Sequence, residues 1–403
     1  MTKQELHTKA HYILALLIAF TLPFARLTAL FIALMLLNWL IEADFKNKLS
    51  KIASNKFALL FIAFYSLHLI GLLFTQNLNA GLFDIQVKLS LLFFPLMIVS
   101  RPFDKEKTKN IFSAMIIGII ISSLILLSIA SYTYFTKSLI RFFYQEFSLL
   151  VHPSYISMYI NVCIAWLLLN IYNGQYKETR FSRTIVLVVI AFLSFVNILM
   201  SSKMGLLTMI IIFVSFLVYY VIKEKKYLIG LFGIATIVVL SFSAMKLFPE
   251  MAGRINRSID AIAHPTTNES ESESTAVRFL IWGAANNVIA ENFILGVGTG
   301  DAKDALIVEY EKLGMKGALE HKLNAHNEFY QVFISLGLIG FIFLILSLIL
   351  PLFFAIKTNN GIYILFLVIV ILNFLPESML ETQAGVMFYA FFNSLLCFKT
   401  TNN

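Results

Sequence analysis

His326 stands in Asn324-Ala325-His326-Asn327-Glu328, directly before a long apolar run, and Arg278 and Trp282 sit one helical turn apart upstream of it. An imidazole beside a helix N-terminus is favoured in its neutral form, and the same helix dipole attracts an anion. A neutral imidazole facing water and a bound phosphate suits general-base work. The plainer reading is a surface histidine in a capping turn, with Asn324 or Asn327 as N-cap of the next helix. For Arg278 the plainer reading is a solvated charge next to an interfacial tryptophan. Lys203 follows Ser201-Ser202 between two apolar runs with almost no loop, a place for a functional or a snorkelling cation. His152 opens His152-Pro153-Ser154-Tyr155, and Glu377 and Glu381 lie between the last two apolar runs.

The elements that must position these residues follow from composition. Of 403 residues 59% are hydrophobic and 13% charged, more apolar surface than a soluble fold of this size hides. About twelve apolar runs approach or reach bilayer-spanning length, near 11–25, 27–43, 57–74, 87–99, 111–135, 155–172, 184–200, 205–222, 228–246, 329–356, 362–375 and 384–398. They are continuous, without the period-two alternation of a barrel strand, so helices are the predicted elements. The predicted fold is an all-α polytopic integral membrane protein with about twelve transmembrane helices and one large helical periplasmic loop between spans nine and ten. Its regions are 1–248 with spans one to nine, 249–327 as the loop, and 328–403 with spans ten to twelve.

Basic residues set the orientation. Lys3, Lys9, Lys46, Lys48, Lys51, Lys56, Arg101, Lys105, Lys107, Lys109, Lys177, Arg180, Arg183, Lys223, Lys225, Lys226, Lys357 and Lys399 fall on one side of the runs. The short opposite loops carry Arg26, Lys88, Lys137, Arg141 and Lys203. The bias predicts cytoplasmic termini and an outward loop. It also accounts for most of the net charge of +8, so no nucleic-acid partner is expected. The first run lacks a small-residue cleavage site and reads as a first anchor. Cys163 and Cys397 both lie in apolar runs and read as small buried hydrophobes.

Within the loop, Pro249–Arg257 reads as an interfacial segment and the acidic, serine-rich stretch 265–274 as a solvated excursion. Gly296-Val297-Gly298-Thr299-Gly300 looks like a phosphate cradle, but no strand precedes it, and the glycines read as the end of one helix and the start of another. The topology places Lys203, Arg278, His326, His152, Glu377 and Glu381 on one outer face.

The order Arg278…Trp282, Gly296-Val297-Gly298, His326-Asn327 and Leu336-Gly337-Leu338-Ile339-Gly340 resembles the O-antigen ligase and polymerase superfamily. His152-Pro153-Ser154-Tyr155 and Ser201-Ser202-Lys203-Met204-Gly205 sit where related members carry similar segments. The resemblance implies a polytopic inner-membrane glycosyltransferase of lipopolysaccharide or polysaccharide biosynthesis. Such an enzyme moves a glycan from an undecaprenyl diphosphate carrier to an acceptor hydroxyl, here that of lipid A–core, at the periplasmic face without metal or other cofactor. Carried over, the ligase pattern implies Lys203 and Arg278 as the cations that hold the diphosphate and His326 as the base. Lysine at the first position departs from the pattern's arginine and lacks its bidentate fork. His152, Glu377 and Glu381 join these as candidates for binding diphosphate or acceptor. The chain holds no Asp-x-Asp to bind a metal, so fixed cations must stabilise the leaving diphosphate. A polymerase joining repeat units on the carrier is the alternative within the class. A lipid-linked glycan transporter or flippase is the alternative outside it, and the gathering of charges at one rim rather than the midplane argues against that reading.

Overall fold

The computed structural model describes residues 2–174, 183–263 and 275–398. The acidic stretch 265–274, Lys177, Arg180 and Lys399 lie outside the described residues. Among the described residues every regular element is helical. The chain begins with α1 (Lys3–Thr21), α2 (Ala25–Ile41), α3 (Phe45–Ser54), α4 (Lys56–Gly71), α5 (Leu78–Lys88), α6 (Ser90–Ser100) and α7 (Lys105–Lys137). It continues through α8 (Tyr144–Phe147), α9 (Pro153–Tyr172), α10 (Arg183–Met200), α11 (Lys203–Glu224), α12 (Tyr227–Leu247) and α13 (Pro249–Ala263). It ends with α14 (Thr275–Glu291), α15 (Ala302–Lys312), α16 (Lys316–Glu320), α17 (Glu328–Lys357), α18 (Gly361–Phe374) and α19 (Gln383–Cys397).

Nine helical segments among the described residues are long and apolar enough to cross a membrane, and α18 and α19 are shorter apolar helices. The protein is a multi-pass membrane protein. The first apolar segment, Lys3–Ile41, folds back on itself. Leu22–Phe24, with Pro23 at its start, forms the turn, and His7 Nδ1 lies 2.8 Å from Asn38 Oδ1 across the hairpin. Polar caps define where the apolar helices start: Thr2 with Glu5 for α1, Asn55 for α4, Ser202 for α11, Asn327 for α17 and Thr382 for α19. Each cap satisfies amides that lipid would otherwise leave unbonded.

The chain divides into two compact units, Met1–Ala114 with Asp260–Asn403, and Met115–Ile259. In the first, α19 forms the centre. Phe391 meets Phe94 of α6 at 5.0 Å between ring centroids, Phe392 meets Phe112 of α7 at 5.1 Å, and Phe388 meets Phe366 of α18 at 5.7 Å. In lipid such rings stabilise by packing rather than by removal from water, each favourable ring pair by about 0.5–1.5 kcal/mol. In the second, α9 is the buried element, with Tyr159, Ile160, Asn161 and Cys163 all at 0% exposure, packed between α10 and α11. α12 buries only Gly230, which suits a helix whose surroundings are lipid. Cys163 and Cys397 are free and buried, as their apolar settings predict.

One reading changes. The sequence placed Lys88 in a short outer loop, yet α5 and α6 form one apolar segment, Leu78–Ser100, and Lys88 is 1% exposed inside it. Asp84, one turn earlier, and Glu381 pair with its ammonium. That pairing is what makes burying the charge tolerable.

Candidate functional site

Arg278 lies one turn into α14, and its Nη2 donates to Glu377 Oε1 at 2.5 Å. The other oxygen of the same carboxylate, Oε2, lies 3.2 Å from His326 Nδ1. One carboxylate therefore bridges a guanidinium and an imidazole. The three side chains are 24%, 20% and 26% exposed for Arg278, Glu377 and His326, supported on one side and open to solvent on the other. Trp282, on the same face of α14, donates from Nε1 to Ala325 O at 3.1 Å and stacks on Tyr330 at 6.0 Å. The Arg278–Trp282 face is thus docked on the turn that carries His326.

That turn is tightly specified. His326 has φ 44, the left-handed region that non-glycine residues seldom enter, although histidine enters it more readily than most. Its amide donates to Asn324 Oδ1 at 3.0 Å. Asn327 donates from its amide to Ser378 Oγ at 3.2 Å and caps α17 by accepting from Phe329 N and Tyr330 N. His326 therefore immediately precedes the cap, as the sequence predicts.

Beneath the turn lies a layer of buried charge that the sequence reading missed. Glu381 Oε1 pairs with Lys88 Nζ at 2.8 Å, and Lys88 also pairs with Asp84. Glu381 Oε2 accepts from Gln331 Nε2 at 3.1 Å, and Gln331 Oε1 accepts from Ala325 N at 3.3 Å. Glu328, fully buried, accepts from Leu380 N through Oε2 at 2.7 Å. His68 Nδ1 lies 3.7 Å from Asp84 Oδ2. A chain of polar links thus runs from Lys88 through Glu381 and Gln331 to the residue next to His326. The available signal was the Asp84, Lys88 pair four residues apart at the flank of an apolar run, since ionisable groups within spans are functional candidates by default. Read alone, that spacing resembles an ordinary surface pair.

The glycine turn is a backbone clasp. α17 breaks at Gly337, with φ 61 and ψ −160, a conformation essentially confined to glycine. Leu338 N donates to Phe293 O at 2.8 Å, while Val297 N and Gly298 N donate to Ile334 O and Ser335 O at 2.9 and 3.0 Å. The loop takes up the carbonyls that the interrupted helix releases. A side chain on Gly337 would place its Cβ 2.3 Å from Ile294 O. Farther along, Asp301 accepts from the amides of Gln76 and Asn77 at 2.7 and 2.8 Å. The loop after α14 is thereby fastened to both α17 and the turn before α5.

α15 closes on α14 through Asn287 Nδ2, which donates to Glu309 Oε1 at 2.7 Å. This bond, with Lys312 at 3.1 Å, holds the Glu309 carboxyl below its ordinary range against the opposing pull of burial. Burial pushes the Tyr310 hydroxyl above its ordinary range, and it donates to Leu323 O at 3.3 Å.

Of the six sequence candidates, Arg278, Glu377 and His326 come together, and Glu381 is joined to their turn through Gln331. Lys203 and His152 belong to the other unit. Lys203 is the first residue of α11, behind the N-cap Ser202, whose Oγ accepts from Gly205 N at 3.2 Å. His152 is the N-cap of α9, accepting from Ser154 N through Nδ1 at 3.4 Å, with its ring edge-on to Tyr144 at 5.9 Å. Below the Lys203 turn, Asn161 Nδ2 donates to Gly205 O at 2.8 Å and Asn197 Nδ2 to Asn161 Oδ1 at 3.0 Å.

Residues 186–345 match the family model for O-antigen ligase. This match to the O-antigen ligase family runs from α10 into α17 and takes in Lys203, Arg278 and His326. Glu377 and Glu381 lie beyond it, so the bridging carboxylate comes from outside the segment that matches O-antigen ligase. The chain is also 27% identical over 238 residues to an uncharacterised protein of Haemophilus influenzae, covering 56% of this chain and 57% of that protein. The match thus spans a little over half the length of that relative.

Proposed function

We propose that this membrane protein is a ligase-type glycosyltransferase. It moves a glycan from an undecaprenyl diphosphate carrier to a hydroxyl of a lipid A–core acceptor, at the periplasmic face of the inner membrane. The observation that carries the reading is Glu377 holding both Arg278 and His326. With Nδ1–H donated to Glu377, the Nε2 lone pair of His326 is left to accept the proton of the acceptor hydroxyl. The acceptor oxygen attacks the anomeric carbon, the bond to the diphosphate oxygen breaks, and the electron pair leaves on the diphosphate. Arg278 spends Nη2 on Glu377, and its remaining donors serve the charge developing on that leaving group. Glu377 is thus a positioning residue. Lys203 is assigned to the same diphosphate by the family pattern, and His152 and Glu381 to substrate binding by the outer face on which the basic-residue bias places them. Fixed cations do the work, and neither metal nor cofactor enters the reaction.

The topology proposed with it has about twelve spans, both termini in the cytoplasm and residues 249–327 outside. A cysteine at Glu311 should then label with an impermeant thiol reagent in spheroplasts, and one at Asn47 should not. The reverse pattern would put the site in the cytoplasm and remove the reading.

Purified protein supplied with lipid-diphosphate glycan and lipid A–core tests the transfer directly. Parental protein should yield the acceptor-linked glycan with release of undecaprenyl diphosphate, and His326→Gln should not. Elongation of the glycan on the carrier in place of transfer to lipid A–core would reassign the chain as a polymerase.

A further inference from the structure

The turn at Lys203 holds a second cation that the order of residues along the chain does not suggest. Arg254 comes from α13, about fifty residues downstream. Met251, one turn earlier and 4% exposed, seats that helix. Arg254 Nε donates to Ser201 O at 3.3 Å, and its guanidinium lies 3.4 Å over the ring of Tyr144. Ser201 has φ 48, so its carbonyl is turned out of the regular helix path at the junction of α10 and α11. A guanidinium bonded through Nε and stacked on an aromatic face is fixed in orientation. What such a group still presents is the Nη1, Nη2 pair, the fork that matches phosphate oxygens. Lys203 stands two residues beyond Ser201, at the positive end of a helix of 22 residues. The turn is also rigid, because a Cβ on Gly205 would lie 2.4 Å from Ser157 Cβ, and Asn161 holds the Gly205 carbonyl from below.

We propose that Arg254 and Lys203 together bind the diphosphate of the lipid-linked donor, Arg254 supplying the bidentate fork and Lys203 a point charge at the helix end. This rests on the donor class proposed above. It assigns to α13 a direct part in substrate binding, and it explains how lysine serves where a single-residue clamp would require arginine.

The test uses the full chain in nanodiscs, with undecaprenyl diphosphate as probe and phosphatidylglycerol as competitor. Arg254→Ala should weaken diphosphate binding by about tenfold or more, the scale of a charge-assisted pair of hydrogen bonds. Arg254→Lys keeps the charge and the seat on Tyr144 but loses the fork, and should recover only part of that. Lys203→Arg in the Arg254→Ala background should recover more, because it returns a fork to the same turn. Parental affinity in both Arg254 variants would overturn the proposal while leaving the proposed function standing. No binding of the probe by parental protein would instead remove the donor class, and the proposal with it. Equal competition by phosphatidylglycerol would make the cluster a lipid-headgroup site and overturn its assignment to the donor.

Discussion

The two units support their candidate residues on different materials. Below His326 the supports are mostly ionisable: Lys88, Asp84 and Glu381 are joined to the turn through Gln331, and buried Glu328 accepts from Leu380 N. Below Lys203 they are neutral: Asn161 and Asn197, with Ser157 and Thr208 also buried nearby. Buried ion pairs are directional and hard to half-break, since removing one partner strands the other at a cost of about 3–5 kcal/mol. A neutral amide link contributes about 1 kcal/mol. Among the described residues both layers keep polar atoms with no hydrogen-bond partner: Ser157 Oγ, Asn197 Oδ1 and Thr208 Oγ1 in the neutral one, and Glu328 Oε1 and both ring nitrogens of His68 in the charged one. The charged layer suits the base role proposed for His326, because it holds that residue in one unusual backbone geometry. The neutral layer suits a cation that binds an anion with no buried carboxylate beneath it to compete for its charge.

The sharpest way to break this contrast is chemical. His326→Gln and Arg278→Ala should each lower turnover by about a hundredfold or more, as expected for loss of a base or of a transition-state cation. Lys203→Ala should act mainly on donor KM. Equal loss of kcat from Lys203→Ala and His326→Gln would erase the distinction between a base acting in the chemical step and a cation that binds the donor. Glu377→Gln should reduce kcat more than donor KM, because it removes the charge that sets the imidazole tautomer. A larger effect on KM would move Glu377 from positioning to substrate binding.

Stability gives the next test. Lys88→Met should destabilise by about 3–5 kcal/mol, and the Lys88→Met, Glu381→Met pair by less than Lys88→Met alone. Asn197→Leu should cost about 1–2 kcal/mol. Denaturant titration in mixed micelles measures all three, and similar costs for Lys88→Met and Asn197→Leu would contradict the division into charged and neutral layers. The smallest effect concerns pH. Glu309 has its carboxyl held below the ordinary range, chiefly by Asn287. Its contribution is therefore present above the unfolded carboxylate pKa and lost as pH falls through the lower folded value. Protection factors of the α14 and α15 amides, which already allow for the slower intrinsic exchange in acid, should fall by a few fold on acidification from about pH 6 to about pH 3, and Asn287→Leu should remove most of that dependence. Unchanged acid sensitivity in Asn287→Leu would assign the loosening to other groups.

Much of this was legible in residue types and spacing. Apolar runs give helices, Asn327 gives the start of α17, and Arg278 and Trp282 four apart give a shared face, because each depends on neighbours close in sequence. Arg278 meeting Glu377 was not legible, since nothing local to either residue records a partner 99 positions away. The topology did place both on one side. Lys88 was misread for a related reason. A lysine at the edge of an apolar run looks like a loop charge until Glu381, 293 positions on, is seen to neutralise it. Arg254 was hidden in the same way, because its importance lies in Ser201 and Tyr144 on other elements.

The break at Gly337 bears on how the protein is made. The carbonyls of Ile334 and Ser335 are bonded by amides of Val297 and Gly298, and the amide of Leu338 by Phe293. In hydrocarbon each such group left open costs several kcal/mol. The first third of α17 therefore reaches its lipid-compatible form only when residues 293–298 arrive with it, so this span enters the membrane together with its preceding loop rather than as a finished rod. The order of synthesis, loop first and helix second, makes those loop amides available before the helix whose carbonyls they bond.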